Sequence, residues 1–246
     1  MTLPCHLADL DAATPGSVVE VTGDEAHHAV VVRRLREGEP VMLTDGHGTR
    51  ATGVVTWTGK RAFTVTLDSV VREERPTPAF TVVQALPKGD RGELAVEVLT
   101  EVGVGRVVPW AAARSVAVWR GERAVRSHAK WRSTAREAAK QARRSWHPIV
   151  DPLASTEQVV ELVRAAPTAL VLHEEARTGL ADVDLVGDHV VLVVGPEGGL
   201  TDDEVSAFAE AGAATVRLGE EVLRNSTAGV VAVGALLART PRWSSR

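Results

Sequence analysis

The chain has 246 residues, 44% of them hydrophobic and 24% charged, with a formal net charge of −4. That composition belongs to a folded globular chain and excludes disordered and fibrous classes. No run approaches the roughly 18 apolar residues of a membrane helix, the start Met1-Thr2-Leu3-Pro4-Cys5-His6 lacks a secretion pattern, and the single cysteine excludes a disulfide framework, so a cytoplasmic protein is expected.

From Ser17 to Val71 the sequence reads as short strands joined by tight turns. The strands are Ser17–Val21, Val41–Thr44, Ala51–Trp57 and Ala62–Leu67, with Asp45-Gly46 and Thr58-Gly59-Lys60 as hairpin turns and Asp24–Arg34 as a helix opened by acidic residues. They predict a small β-barrel over residues 1–72. The charged, proline-bearing run Arg72-Glu73-Glu74-Arg75-Pro76-Thr77-Pro78 reads as a linker. Beyond it strands and helices alternate, which predicts an α/β domain over residues 77–246. Its strands are Phe80–Leu86, Arg106–Trp110, Thr168–Leu172, His189–Val194 and Thr215–Leu218; its helices are Gly92–Val102, Ser127–Arg144, Thr156–Ala165, Asp202–Ala211 and Ser226–Ala238. The run Val190–Val194 is apolar on both faces, as a central strand of a covered parallel sheet requires.

The net charge argues against a nucleic-acid partner until it is divided by region. Residues 1–76 carry −3, residues 77–150 carry +7 and residues 151–246 carry −8. A local positive field survives a negative total when the separation exceeds a Debye length of roughly 8 Å. On the predicted helix, Arg132, Arg136, Lys140 and Arg144 recur every four residues beside an apolar stripe of Trp131, Ala135, Ala138 and Ala142. This cationic stripe reads as a phosphate-binding surface or as a solvated helix face. Trp110, Trp119, Trp131 and Trp146 lie in or beside the block and read either as stacking platforms or as core.

Chemistry concentrates at the ends of three strands. The strand His189–Val194 runs into Gly195-Pro196-Glu197-Gly198-Gly199-Leu200, and Thr201-Asp202-Asp203-Glu204 then supplies a capping box. Ligands of open α/β sheets sit outside the carboxyl ends of the strands, and three glycines let backbone approach one closely; a simple chain reversal is the other reading. No Lys follows, so this is not a phosphate loop of the nucleotide-triphosphate type. Thr168–Leu172 ends in His173-Glu174-Glu175, and Thr215–Leu218 ends in Gly219-Glu220-Glu221-Val222-Leu223-Arg224-Asn225-Ser226. Three such loops would make one composite pocket, and their acids favour a ligand with positive charge or many donors over a bare triphosphate. The small residues Ala228, Gly229, Ala232, Gly234 and Ala235 of the last helix read as core packing or as a dimer contact. His27-His28 does not make a metal site, since adjacent helical residues point about 100° apart and no second ligand cluster accompanies them.

The glycine loop after an apolar strand, then Leu218-Gly219 with Val222-Leu223-Arg224 and a small-residue helix, resembles the SPOUT methyltransferases. Within them the chain is similar to the ribosomal RNA small subunit methyltransferase E family. Pro87-Lys88-Gly89-Asp90-Arg91, Thr100-Glu101-Val102-Gly103-Val104, Arg114-Ser115 and Glu137-Ala138-Ala139-Lys140-Gln141 carry the likeness, and His27-His28 with Val32-Arg33-Arg34-Leu35-Arg36 resembles that family's amino-terminal RNA-binding domain. The chain departs from the family pattern at Pro4-Cys5-His6-Leu7, at Asn225-Ser226-Thr227 and at Lys140-Gln141-Ala142-Arg143-Arg144.

The resemblance implies a PUA-like barrel followed by a SPOUT α/β domain with a carboxyl-terminal trefoil knot, acting as a homodimer. It implies transfer of a methyl group from S-adenosyl-L-methionine to N3 of a uridine in 16S ribosomal RNA of the small ribosomal subunit, near the decoding centre. It assigns cofactor contact to Leu172, His173, Gly195, Pro196, Glu197, Gly198, Gly199, Leu218, Gly219, Leu223, Arg224, Asn225, Thr227 and Ala228. RNA contact falls to Arg33, Arg34, Arg36, Lys88, Arg91 and Arg114, together with the stripe Arg132, Arg136, Lys140 and Arg144. Arg224, permanently charged, is the candidate to stabilise a uracil anion, with Glu197 as the candidate to assist proton removal or to hold a cofactor amine. A SPOUT enzyme acting on another RNA, such as a transfer RNA ribose, and a non-enzymatic ribosome-assembly factor both remain open at this point.

Overall fold

The computed structural model describes residues 3–244, so the first two and last two positions of the expected domains lie outside the described residues. The chain forms two compact units. One comprises residues up to Arg75 together with Ala139–His147, and the other comprises Pro76–Ala138 and Pro148 onward. The return of residues 139–147 to the first unit is absent from a division made at 72–77 along the sequence.

The first unit is a five-stranded sheet in the order β1-β3-β4-β5-β2, formed by β1 (Cys5–Leu7), β2 (Val18–Thr22), β3 (Pro40–Thr44), β4 (Thr49–Thr58) and β5 (Ala62–Arg72). β1 runs parallel to β3, and the other neighbours are antiparallel. Alternate residues Val41, Leu43, Phe63, Val65 and Leu67 face a core closed by Ala26, Ala29 and Leu35. Two bulges, between Thr52 and Gly53 and between Val55 and Trp57, bend the long hairpin, because an extra residue on one strand tightens its twist. Sequence reading missed β1, a three-residue strand with no periodicity to detect. Its neighbours hold it: Met42 N–H donates to Pro4 O and Ala8 N–H to Thr44 O, both at 2.9 Å.

The helix expected over Asp24–Arg34 is shorter and changes type. α1 spans Gly23–His27 and continues as a π-helical turn over His28–Val32, and Arg34 sits in the left-handed region at φ 59°. Three successive β-branched residues, Val30-Val31-Val32, weaken α-helix there by restricting χ1 against the preceding turn.

The second unit is a seven-stranded sheet in the order β10-β12-β9-β11-β6-β7-β8. The strands are β6 (Ala79–Ala85), β7 (Arg106–Trp110), β8 (Ile149–Val150), β9 (Thr168–Leu172), β10 (Thr178–Gly179), β11 (His189–Val194) and β12 (Ala214–Arg217). Every pairing among them is parallel. On β11, Val190, Leu192 and Val194 join one core with residues of α2 (Arg91–Val102) and α6 (Asn225–Leu237). Val191 and Val193 join the opposite core with residues of α4 (Thr156–Ala165) and α5 (Asp202–Glu210). Burial on both faces is what the apolar run of this strand required.

α3 (Gly121–Gln141) starts six residues before the expected Ser127 and stops three before Arg144. Arg143 ends it in the left-handed region at φ 54°. The capping box expected at Thr201 is present: Glu204 N–H donates to Thr201 Oγ1 at 3.2 Å, and Thr201 N–H to Glu204 Oε2 at 2.9 Å.

Candidate active site

Because β9, β11 and β12 are parallel neighbours, their carboxyl ends lie along one edge of the sheet. The loops that follow close around one cleft of about 850 Å³. It receives Leu172 and His173 from the first loop, Gly195–Leu200 from the second and Leu218–Asn225 from the third, with Ala228 on the first turn of α6. Of the residues expected to hold a cofactor, only Thr227 is not in the lining; its hydroxyl donates instead to Arg224 O at 3.2 Å. Glu174, Glu175 and Arg217 also face the cleft.

The glycine loop is held from behind by protein groups. Arg114 Nη1 donates to Gly198 O at 3.3 Å and to Leu200 O at 3.0 Å. The buried capping residue Glu204 accepts Ala113 N–H at 2.8 Å, so one side chain serves both the helix start and the neighbouring loop. A Cβ at Gly198 would lie 3.1 Å from Arg114 Cβ, and one at Gly195 would lie 3.0 Å from Leu200 Cδ2. Gly199 is left-handed at φ 73°. The close approach of Arg114 and Leu200 leaves little room for a side chain at Gly198 and Gly195, and the turn favours glycine at 199. Arg114, expected to contact RNA, is exposed, and through Nη1 it also holds these two loop carbonyls.

Glu197 lies on the cleft wall, and its Oε1 accepts the backbone N–H of Lys88 at 3.1 Å. Arg224 is exposed at the N-cap of α6 and lines the cleft. Beneath it, buried Gln84 donates through Nε2 to Asn225 Oδ1 at 3.1 Å, and Asn225 Nδ2 donates to Ala85 O at 3.3 Å. Gln84 thereby pins the start of α6 to the end of β6. Sequence reasoning missed it, although an amide inside the apolar strand Ala79–Ala85 was the available signal.

Two protein families match the chain: an RNA methyltransferase domain over residues 73–237 and an RNA methyltransferase PUA domain over residues 21–68. The chain is 44% identical to the ribosomal RNA small subunit methyltransferase E of Mycobacterium bovis over 235 residues, 94% of this chain and 90% of that protein. It belongs to the ribosomal RNA small subunit methyltransferase E family. The Bacillus subtilis member is 30% identical over 89% of this chain and 90% of that one. The Neisseria gonorrhoeae member, solved bound to S-adenosyl methionine, superimposes with a TM-score of 0.86 at 26% identity, covering 97% of this chain and 98% of that chain. A Legionella pneumophila protein in complex with the cofactor SAM gives a TM-score of 0.88 at 25% identity over the same shares.

The basic residues fall into two groups. Arg33, Arg34, Arg36, Lys88, Arg132 and Arg136 are exposed, and Arg91 and Arg144 are half-buried. Lys140 is a correction. It is only 8% exposed, and its Nζ donates to both oxygens of Glu25, at 3.1 and 2.9 Å. His6 Nδ1 lies 3.3 Å from the same carboxylate. Burial raises the Glu25 pKa, but the hydrogen bonds from His6 and Lys140 and the lysine charge outweigh it and hold the group at about 2. The four-residue cationic repeat therefore breaks at its third member, where the first unit covers it.

Of the two readings of the tryptophans in and beside the basic block, core packing describes their contacts. Trp110 and Trp131 are buried, Trp119 packs edge-on against Trp131 at 5.0 Å, and Trp146 Nε1 donates to Glu73 O under the guanidinium of Arg75. Trp57 and Trp243 are exposed, and Trp119 and Trp146 are half-buried. Among the described residues no cluster of potential metal ligands occurs, and no helix is long and apolar enough to cross a membrane.

Proposed function

We propose that this protein binds S-adenosyl-L-methionine in the cleft and methylates N3 of a uridine in 16S ribosomal RNA of the small ribosomal subunit, in the cytoplasm. The observation that carries the reading is the convergence of three strand-end loops on one cleft in a chain of this family. Its size suits a nucleoside-sized ligand. Its walls suit this one: Leu172, Val194, Leu218 and Leu223 offer apolar surface, loop backbone offers donors and acceptors, and Glu174, Glu175, Glu197, Glu220 and Glu221 complement a cation. The bound cofactor supplies an activated methyl group on a sulfonium.

The remaining work falls to the chain. N3 of uracil is a nucleophile once its proton is gone, and the charge then spreads to O2 and O4. Arg224 is the group proposed to face that charge, because it is permanently cationic and makes no ion pair among the described residues. Glu197 acts as a positioning residue that ties the Lys88 loop to the glycine loop. Exposed Arg33, Arg34, Arg36, Lys88, Arg132 and Arg136 are proposed to contact RNA phosphates.

A homodimer belongs to the same reading. Ala228, Gly229 and Ala232 of α6 pack inward, while Val231 and Ala235 on its other side and Trp243 beyond it are exposed. That apolar face suits a second copy. A carboxyl-terminal knot is proposed with it from the family likeness, in the region where the chain leaves β11, passes β9 and enters the sheet again as β12.

Calorimetry is expected to give one S-adenosyl-L-methionine site per chain. A strain lacking the gene is expected to lose N3-methyluridine from 16S RNA, with the wild-type gene restoring it and Arg224→Ala failing to do so while retaining cofactor affinity. Loss of a different methylated nucleoside would identify another substrate, and absence of cofactor binding would leave a non-enzymatic factor.

A further inference from the structure

A second, shallower recess of about 630 Å³ adjoins the cleft, lined by Lys88, Gly89, Asp90, Arg91, Leu94 and Glu197. Arg91 and Glu197 line both. We propose that this recess receives the acceptor uracil and that Arg91 is a second catalytic residue, which joins Arg224 in carrying the charge of the deprotonated base. The proposal rests on the function given above and adds the place of the acceptor and a residue to it.

A base about to be methylated needs a site contiguous with the methyl donor, an apolar surface for its ring and a cation at its polar edge. The shared wall meets the first need. Leu94 meets the second: it is 42% exposed and lies three residues after Arg91 on α2, so the two side chains share a face of the helix. Gly89 leaves bare backbone beside them, with nothing within 4 Å of where a Cβ would stand.

Arg91 meets the third need. Among the described residues its guanidinium has no ion-pair or hydrogen-bond partner, whereas Arg114 on the same cleft bonds two loop carbonyls through Nη1. Arg217 and Arg224 line the larger cleft alone. A guanidinium donates and never accepts, so it bonds O2 or O4 of the base and does so more strongly once N3 has lost its proton and those oxygens share the negative charge. In the step itself the N3–H electron pair stays on nitrogen and the proton passes to a base in the solvent. The N3 pair then forms the bond to the methyl carbon, and the pair of the broken C–S bond remains on sulfur, leaving a neutral thioether. Glu197, through its bond to Lys88 N–H, holds the two recesses in register.

The test measures wild type, Arg91→Ala and Arg91→Lys on RNA carrying uridine or 5-fluorouridine at the target position, where fluorine makes N3–H more acidic. Arg91→Ala is expected to keep its melting transition and its calorimetric cofactor affinity within about threefold while losing roughly 10²-fold or more in kcat on uridine. On 5-fluorouridine the loss is expected to shrink to about tenfold or less, and Arg91→Lys to recover part of it. An equal loss on both substrates, a rise in KM alone, or unchanged turnover would overturn the proposal. If wild type itself makes no N3-methyluridine, the underlying function fails instead, and the two failures are told apart by that one control.

Discussion

Lys140→Ala is expected to weaken the fold of the first unit rather than its RNA contacts. Lys140 Nζ is 3.1 and 2.9 Å from the two Glu25 oxygens, and both side chains are largely buried. Deleting one member of a buried pair typically costs about 3–5 kcal/mol, because the other charge is left without compensation. His6 still faces Glu25, so the lower end, about 3 kcal/mol, applies here. For a unit of this size each kcal/mol moves the midpoint by roughly 4–8 °C, which puts the fall at about 12–24 °C. Differential scanning calorimetry of the full chain reads the transition. Glu25→Gln combined with Lys140→Met is expected to recover most of the loss, since neither charge then remains. A Lys140→Ala protein that melts within 2 °C or so of wild type, yet binds RNA with a reduced salt slope, would refute the burial argument and reinstate the cationic stripe.

Arg132→Glu and Arg136→Glu, by contrast, change exposed positions. Each is expected to leave the melting point unchanged while lowering RNA affinity and flattening its salt dependence by a slope of about 1 in a filter-binding titration. Acid is expected to weaken the first unit in two stages. Burial, then the charges of Arg144, Lys140 and His47, depress His147 to about 4, against the opposing charge of Asp45. Its contribution is complete above the unfolded value near 6.5 and is lost as pH falls toward 4; that of Glu25 is lost from about 4.5 toward 2. Urea titrations across pH measure both, and His147→Asn should flatten the first stage only. Gly92→Ala sets helix propensity against sterics. Alanine gains about 1 kcal/mol in α2, but its Cβ would stand 2.8 Å from the Trp131 indole, and such overpacking costs about 1–3 kcal/mol, so net destabilisation in urea is expected.

Structure was legible in the sequence where the signal was local. The two-sided apolar run of β11, the Thr201–Glu204 capping box and the glycine loop each declare a conformation within a few residues, because side-chain period and backbone hydrogen bonding are short-range properties. β1 carried no such signal, since three residues become a strand only when β3 lies beside them. The stripe on α3 shows the same division. Its four-residue repeat established a polar face, but periodicity does not say which part of that face another segment covers.

By itself the sequence determined the alternation of elements, the covered central strand and the three polar loops that end in residues of the family pattern. The tertiary structure alone decided that β12 lies beside β9 and β9 beside β11, which brings residues as far apart as Leu172 and Arg224 to one cleft. It also decided that Lys140, read as a phosphate contact, closes a buried ion pair with a glutamate 115 residues earlier. Both results depend on contacts between distant segments. Local propensity carries no information about those contacts, because their energy exists only once the two segments have met.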